Sequence, residues 1–236
     1  MVATQDSLIG TPHTAKPVIL IGGAPGTGKT SLANRLLVEL DLDHRIGTGF
    51  VRAIVAGERV ALGRAGTLAR HTYESEDPIE LLLAQAEELS PAIDACISRA
   101  RGEGTSLVIE GTHLVPQLYH ERADCLIVLV APDVEVHAAQ VRGGRHTLRS
   151  IDDEQFRAIR ALDEFYGRSA AELGVPTYLY GEVIARVRAD RGGAALGLAQ
   201  FRPLSRQVIP YSDTYDPMVR SGIDPDEPFL EPDEQG

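Results

Sequence analysis

The feature that most constrains the fold is a glycine-rich turn between two apolar segments near the start of the chain. Residues 17–23 (PVILIGG) are typical of a buried strand, and an amphipathic segment from about Lys29 to Leu40 predicts a helix. The turn between them, Gly23-Ala-Pro-Gly-Thr-Gly-Lys-Thr30, fits G-x-x-x-x-G-K-[ST] at every fixed position. A strand, a glycine loop and a helix in direct succession predict the first unit of a parallel α/β sheet.

Apolar runs and amphipathic segments continue to alternate as far as about residue 190. Strands are predicted at 44–49, 106–111, 123–132 and 175–180, and helices at 50–58, 77–104, 133–142, 152–173 and 181–190. The segment 77–104 is either one long helix or two helices broken near Pro91. Because parallel strands need helical crossovers, the sheet should be covered on both faces. We therefore expect a three-layer P-loop NTPase sandwich of the nucleoside-monophosphate-kinase type.

The pattern divides the chain into three regions. The pattern predicts an N-terminal extension at residues 1–16 and an α/β domain at residues 17–191. Residues 192–236 are rich in Asp, Glu and Pro without any period, which indicates an irregular acidic tail. The alternative is an arm that packs on a second copy in a homodimer, anchored by Phe201, Tyr211, Tyr215 and Phe229.

Charge and composition limit the partners. The formal net charge of -11 argues against nucleic acid, because binding to a phosphate backbone rests on a basic face. No apolar stretch reaches the length of about 18 residues expected of a membrane span. Cys96 and Cys125 lack the spacing of a disulfide framework or a zinc site, which favours a reducing, cytoplasmic setting. A small anionic substrate remains compatible with this charge.

The glycine loop itself predicts a nucleotide site. Successive backbone N–H groups can turn inward around a phosphate, and the following helix directs its positive dipole end to the same point. Lys29 can reach the β- and γ-phosphates, and the Thr30 hydroxyl can ligate Mg²⁺. We expect ATP or GTP with Mg²⁺ as the cofactor, held by Gly23, Ala24, Pro25, Gly26, Thr27, Gly28, Lys29, Thr30 and Ser31.

A second acidic element points to phosphoryl transfer. Glu110 ends the apolar run LVIE, where a parallel sheet presents its ligands. A carboxylate there could hold Mg²⁺ or take a proton from a substrate hydroxyl, and the alternative is a helix cap or a salt bridge. The base-reading Asn-Lys-x-Asp segment of GTPases does not occur in the chain. The combination favours a kinase.

A basic loop follows the fourth strand. The stretch VRGGRHTLRS holds Arg142, Arg145 and Arg149 beside two glycines that could act as a hinge. Small kinases often close such a lid over the transferred phosphoryl group, which excludes water and neutralises charge. Arg142 and Arg145 are therefore predicted as catalytic residues, with a solvated basic loop as the alternative.

Specific phrases resemble the 2-phosphoglycerate kinases. These are IGGAPGTGKTSLA and EGTSLVIEGTHLVP, with HTYESEDPIELLLAQAEEL between them, and the resemblance extends over about residues 17–180. It implies transfer of the γ-phosphoryl group of ATP to the 3-hydroxyl of 2-phosphoglycerate. It also implies acceptor binding by Arg52, Tyr73 and His113, with a structural role as the alternative for His113.

One departure from the family pattern leaves the acceptor open. The family typically reads Ser-Thr-Asp-x-[Ile/Val]-Arg-Glu after the second strand, whereas this chain has Gly49 and Ala53 at the two acidic positions. Arg52 is retained. A kinase of the same fold with a sugar, nucleoside or other acceptor is therefore an alternative, as is an ATP-binding sensor without catalytic activity.

Overall fold

A computed structural model describes residues 16–64, 66–143 and 150–189 of the chain. The N-terminal extension before residue 16 and the acidic tail from residue 192 lie outside the described residues, as do Arg145 and Arg149 of the basic loop.

The centre of the fold is a parallel sheet of five strands. The strands are β1 (Val18–Gly23), β2 (His44–Gly47), β3 (Leu107–Glu110), β4 (Cys125–Leu129) and β5 (Thr177–Tyr178). Their order across the sheet is β2-β3-β1-β4-β5, and every pairing is parallel. Each predicted strand is present, although shorter than its apolar run.

Helices cover both faces of the sheet. They are α1 (Lys29–Glu39), α2 (Thr48–Ala61), α3 (Pro78–Glu103), α4 (Pro116–Tyr119), α5 (Val134–Arg142), α6 (Asp153–Glu172) and α7 (Tyr180–Ala189). Two 3₁₀ turns, Thr67–Ala69 and Thr72–Glu74, lie between α2 and α3. The prediction left open whether Pro91 breaks α3, and the structure shows one continuous helix.

Alternate side chains of β1 enter the two halves of the core. Val18 and Leu20 pack with Leu89 and Ile93 of α3 on one face. On the other face, Ile19 and Ile21 pack with α1 side chains such as Leu32. A strand that is buried on both faces reads as a continuous apolar run, which is what residues 18–21 show.

The strand order sets the position of the site. Strand β1 lies between β3 and β4, and the connection from β1 to β2 runs across the sheet in the opposite direction to the connection from β3 to β4. Ligands bind outside the carboxyl ends of the strands at such a point. The predicted P-loop NTPase sandwich is confirmed, and the glycine loop lies at this point. In the described part of the chain, no helix combines the length and the hydrophobicity that crossing a bilayer requires.

Candidate active site

The glycine loop has a backbone shape that only glycine allows at one central position. Gly26 has a φ of 85°, and a methyl group there would lie 2.4 Å from Val141 Cγ2. The Thr27 hydroxyl donates to the Ala24 carbonyl across the turn at 2.9 Å. Helix α1 begins directly after the loop, so its N-terminal N–H groups and its dipole point to the space that the loop encloses. This geometry suits an anion.

Lys29 is the buried cation of the loop. Its ammonium group donates to the Ala24 carbonyl at 2.5 Å, and the residue is 8% exposed. Burial lowers the pKa of Lys29 to about 8, although the negative charges of Glu110 and Asp163 oppose this shift. The ammonium group of Lys29 is therefore bound by the loop itself.

Thr30 and Glu110 meet across the carboxyl ends of β1 and β3. The Thr30 hydroxyl donates to Glu110 Oε1 at 3.1 Å, and Arg45 Nη1 lies 3.4 Å from the same oxygen. The contact arises because β1 and β3 are paired in register, with Ile21 opposite Glu110. Arg45 is not among the residues predicted from the sequence, although a charged residue inside a short strand was a usable signal.

The donors at this point suit Mg²⁺. A hydroxyl and a carboxylate are hard oxygen ligands, and Mg²⁺ usually keeps several waters beside one or two protein ligands and substrate phosphates. Among the described residues, no group of three or more His, Cys, Asp or Glu side chains could hold a metal alone. Thr30 and Glu110 could hold Mg²⁺ here, and this role stays a prediction.

His113 is buried between α2 and α3. Its Nδ1 lies 3.0 Å from Thr48 Oγ1, and its Nε2 lies 3.0 Å from Gln85 Oε1. The Gln85 amide nitrogen donates to the carbonyls of Thr67 and Arg70, so its oxygen faces His113 and accepts from Nε2–H. Burial, as the largest cause, lowers the pKa of His113 to about 3, which keeps the ring neutral. This environment suits the structural alternative, and contact with an acceptor stays a prediction.

Arg52 and Tyr73 make contacts within the segment that connects α2 and α3. Arg52 Nη1 donates to the carbonyls of Leu68 at 3.0 Å and Arg70 at 2.7 Å. The Tyr73 ring stacks on His71 with 5.1 Å between centroids. The charges of Arg52 and Lys29 both lower the pKa of His113, so each of these two cations lies within electrostatic range of His113. An acceptor role for Arg52 and Tyr73 stays a prediction.

Two further predicted residues lie at the edges of the site. Arg142 pairs with Asp153 at 2.6 Å and lies over the Phe156 ring. Both contacts connect α5 to α6. Ser31 borders an open cavity of about 370 Å³, lined also by Asn34, Arg35, Val38 and Tyr180. The roles of Ser31 and Arg142 stay predictions, and Arg145 lies outside the described residues.

Comparison with known proteins identifies relatives by sequence. A 2-phosphoglycerate kinase from Thermococcus kodakarensis is 32% identical over 171 residues, covering 67% of this chain and 59% of the relative. The protein of that name from Methanothermobacter thermautotrophicus is 30% identical over 182 residues, with the same coverage. One from Methanococcus maripaludis is 26% identical and is covered over 58% of its length. The chain thus spans less than two thirds of these curated relatives.

Two other comparisons add little. No family model matches the chain. A solved shikimate kinase from Acinetobacter baumannii, in complex with shikimate, shares 16% identity and a TM-score of 0.44 over 80% of this chain and 93% of its own. A gluconokinase from Sinorhizobium meliloti shares 14% identity and a TM-score of 0.43, over 79% and 93%. These scores are too low to strengthen what the strand order already shows.

The sequence relatives agree with the resemblance that the residues predicted, and the strand order agrees with the predicted fold. By sequence the chain is a relative of the 2-phosphoglycerate kinases, built on a P-loop α/β fold.

Proposed function

We propose that the chain is a Mg²⁺- and ATP-dependent kinase that phosphorylates a hydroxyl of a small anionic metabolite. The observation that supports this most is the hydrogen bond between Thr30 and Glu110 beside the buried Lys29. Phosphoryl transfer needs little covalent help from the protein, but it needs a cation at the γ-phosphate and a held metal. These three side chains supply that set at the carboxyl end of β1.

Each residue has a distinct role in this proposal. The backbone N–H groups of the loop bind the phosphates, and Lys29 moves from the Ala24 carbonyl to their oxygens. Thr30 and Glu110 would hold Mg²⁺, which would supply charge neutralisation when it is bound. The alternative role that we propose for Glu110 is to accept the proton of the acceptor hydroxyl. Arg142 or Arg145 would neutralise the charge that develops during transfer.

The acceptor that we propose first is 2-phosphoglycerate, because the sequence relatives carry that name. Residues 17–191 would form the catalytic domain, in the cytoplasm. A specific observation favours a second candidate, a kinase for another acceptor. Gly49 is exposed, and a Cβ at this position would have no protein atom within 4 Å apart from its chain neighbours and its own helix backbone, so nothing in the fold prevents the expected Asp. The contact that an Asp could make with the acceptor is missing, which favours a different acceptor.

The test measures ADP formation with Mg²⁺ and ATP against 2-phosphoglycerate, 3-phosphoglycerate, glycerate, sugars and nucleosides. We expect turnover with one phosphorylated or carboxylated acceptor. We expect Lys29→Ala to lower kcat/KM by at least about 100-fold, because the cation at the transferred group is lost. Lys16→Ala is the matched control, since Lys16 is the other lysine of the chain and pairs with Asp43.

Each outcome distinguishes between the candidates. Turnover with 2-phosphoglycerate supports the first acceptor, and turnover with another compound supports the second candidate. Nucleotide binding without turnover on any acceptor favours the sensor. Full activity of a folded Lys29→Ala protein would contradict the mechanism.

A further inference from the structure

His137 is a fully buried histidine of α5 that contacts the glycine loop. The proposed reaction does not use it. Its Nε2 lies 2.7 Å from the Pro25 carbonyl oxygen. Because a carbonyl oxygen can only accept, Nε2 carries the hydrogen and donates it to the loop.

The other ring nitrogen is fixed by an arginine. Arg160 Nη1 lies 2.9 Å from His137 Nδ1. A guanidinium can only donate, so Nδ1 presents its lone pair and the ring is neutral. Burial lowers the pKa of His137 and favours the same neutral form. One tautomer in one orientation results.

Arg160 is itself attached to the end of β4. It pairs with Asp163 at 3.2 Å, and the Asp163 carboxylate accepts the Ala131 N–H with both oxygens, at 3.1 and 3.2 Å. Asp163 is only 4% exposed. A continuous chain of hydrogen bonds therefore runs from the end of β4 through α6 and α5 to the carbonyl of Pro25.

The bond to Pro25 determines the direction of the next N–H group. In a trans peptide the C=O and the following N–H point in opposite directions. The structure contains no cis peptide bond among the described residues, so the Pro25 carbonyl points to His137 and the Gly26 N–H points away from it. Loops of this kind hold an anion with inward-turned N–H groups, so a Gly26 N–H directed away from His137 is available to a phosphate bound in the loop.

We propose that His137 is a positioning residue that fixes the Pro25–Gly26 peptide and so directs the Gly26 N–H to a bound phosphate. The inference rests on the proposed function, because it requires a phosphorylated nucleotide in the loop. It adds a residue that contacts no ligand and acts through the loop backbone.

The experiment compares His137→Leu and His137→Gln with the wild-type chain. Leucine removes both polar contacts, whereas the glutamine amide can still donate to Pro25 and accept from Arg160. We expect His137→Leu to weaken binding of ADP with Mg²⁺ by about tenfold, the effect of one lost hydrogen bond to a charged group. We expect His137→Gln to restore most of that affinity. His120→Leu is the matched control, since His120 contacts the Pro116 carbonyl away from the loop.

The affinity for AMP separates positioning from a general loss of structure. Loops of this kind cradle the α- and β-phosphates, and AMP lacks the β-phosphate, so we expect His137→Leu to lower the ADP-to-AMP affinity ratio. A purely structural defect would weaken both nucleotides equally. Isothermal titration gives the affinities, and circular dichroism confirms that each variant is folded at the titration temperature.

Arg160→Gln tests the same chain of contacts from its far side. It should lower the ADP-to-AMP ratio in the same direction, and it decides the question if His137→Leu does not fold. An unchanged ratio in folded His137→Leu or Arg160→Gln would overturn the inference while leaving the proposed function intact. Absence of ADP binding by the wild-type chain would overturn the proposed function, and the inference with it.

Discussion

At the scale of residues, the protein's own atoms already pair the charges of the site. Lys29 donates to the Ala24 carbonyl, and Glu110 accepts from Thr30 and Arg45. A ligand must therefore exchange these contacts for its own, and the exchange changes the environment of each ionisable group. Lys29 is the residue where that change is measurable, because burial holds its pKa at about 8.

We predict that nucleotide binding takes up protons at alkaline pH. At pH 8.5 a lysine with a pKa of about 8 is roughly three-quarters neutral, and contact with phosphate oxygens returns it to the charged form. Binding of ADP with Mg²⁺ should take up about 0.7 proton at pH 8.5 and about 0.1 at pH 7. Isothermal titration in buffers of different ionisation enthalpy measures this uptake.

The control for the proton uptake is Lys16→Ala, which should leave the uptake unchanged because Lys16 pairs with Asp43. Equal uptake at pH 7 and pH 8.5 in the wild-type chain would contradict the lowered pKa of Lys29.

The sequence allowed the contact between Thr30 and Glu110 at the end of β1 to be predicted, but not the hydrogen-bond partners of His113. Glu110 ends an apolar run, and parallel strands end at the same edge, so its proximity to Thr30 could be expected. The partners of His113 could not be foreseen. Gln85 and Thr48 are 28 and 65 residues away, and the contacts depend on how α2 and α3 pack on the sheet.

At the scale of elements, α3 shows how tertiary packing can keep a helix continuous despite an internal proline. Pro91 lies inside the helix, where it removes one backbone hydrogen bond. Leu89, Ile93 and Ile97 are nearly or fully buried on either side of it. This burial stabilises a continuous helix, since tertiary packing contributes more than local propensity. A sequence pattern cannot compare the cost of the lost hydrogen bond with the gain from burial. Whether the helix breaks near Pro91 could therefore not be predicted from the sequence.

The start of α3 gives a prediction on stability. The Asp77 carboxylate accepts the Glu80 N–H at 2.9 Å, and Pro78 occupies the first position of the helix. Asp77→Ala should lower the free energy of unfolding by about 1 kcal/mol, because the cap and its favourable charge are lost. Urea unfolding at pH 7 measures the difference.

Glu87→Ala is the control for this cap, because Glu87 is an exposed carboxylate in the middle of the same helix. We expect a change below about 0.5 kcal/mol there. Equal losses for the two variants would show that charge, and not capping, stabilises α3.

At the scale of the whole molecule, two buried histidines connect elements that are distant in the chain. His113 links α2 and α3, and His137 links α5 to the glycine loop and α6. Both bond as neutral rings, and burial lowers both pKa values. The folded state therefore requires both imidazole rings to stay unprotonated, which makes the stability of the domain depend on pH.

We predict that the folded state loses stability as the pH falls below about 6.5. An unfolded histidine takes up its proton near pH 6.5, whereas folded His113 resists it until about pH 3. The unfolded state therefore binds more protons within this window. Stability is complete above pH 6.5 and declines as the pH falls towards 3. Between pH 7.5 and pH 5, His113 alone should account for about 2 kcal/mol.

Urea unfolding at pH 7.5 and pH 5 tests this dependence, in a range where most carboxylates remain ionised. The variant His113→Asn cannot take up a proton, so its unfolding free energy should change by about 2 kcal/mol less than that of the wild-type chain. His120→Asn is the control, because His120 keeps 30% of its side chain exposed and lies outside the contacts of His113. If His113→Asn loses as much stability as the wild-type chain, the neutral buried ring is not what makes the domain sensitive to acid.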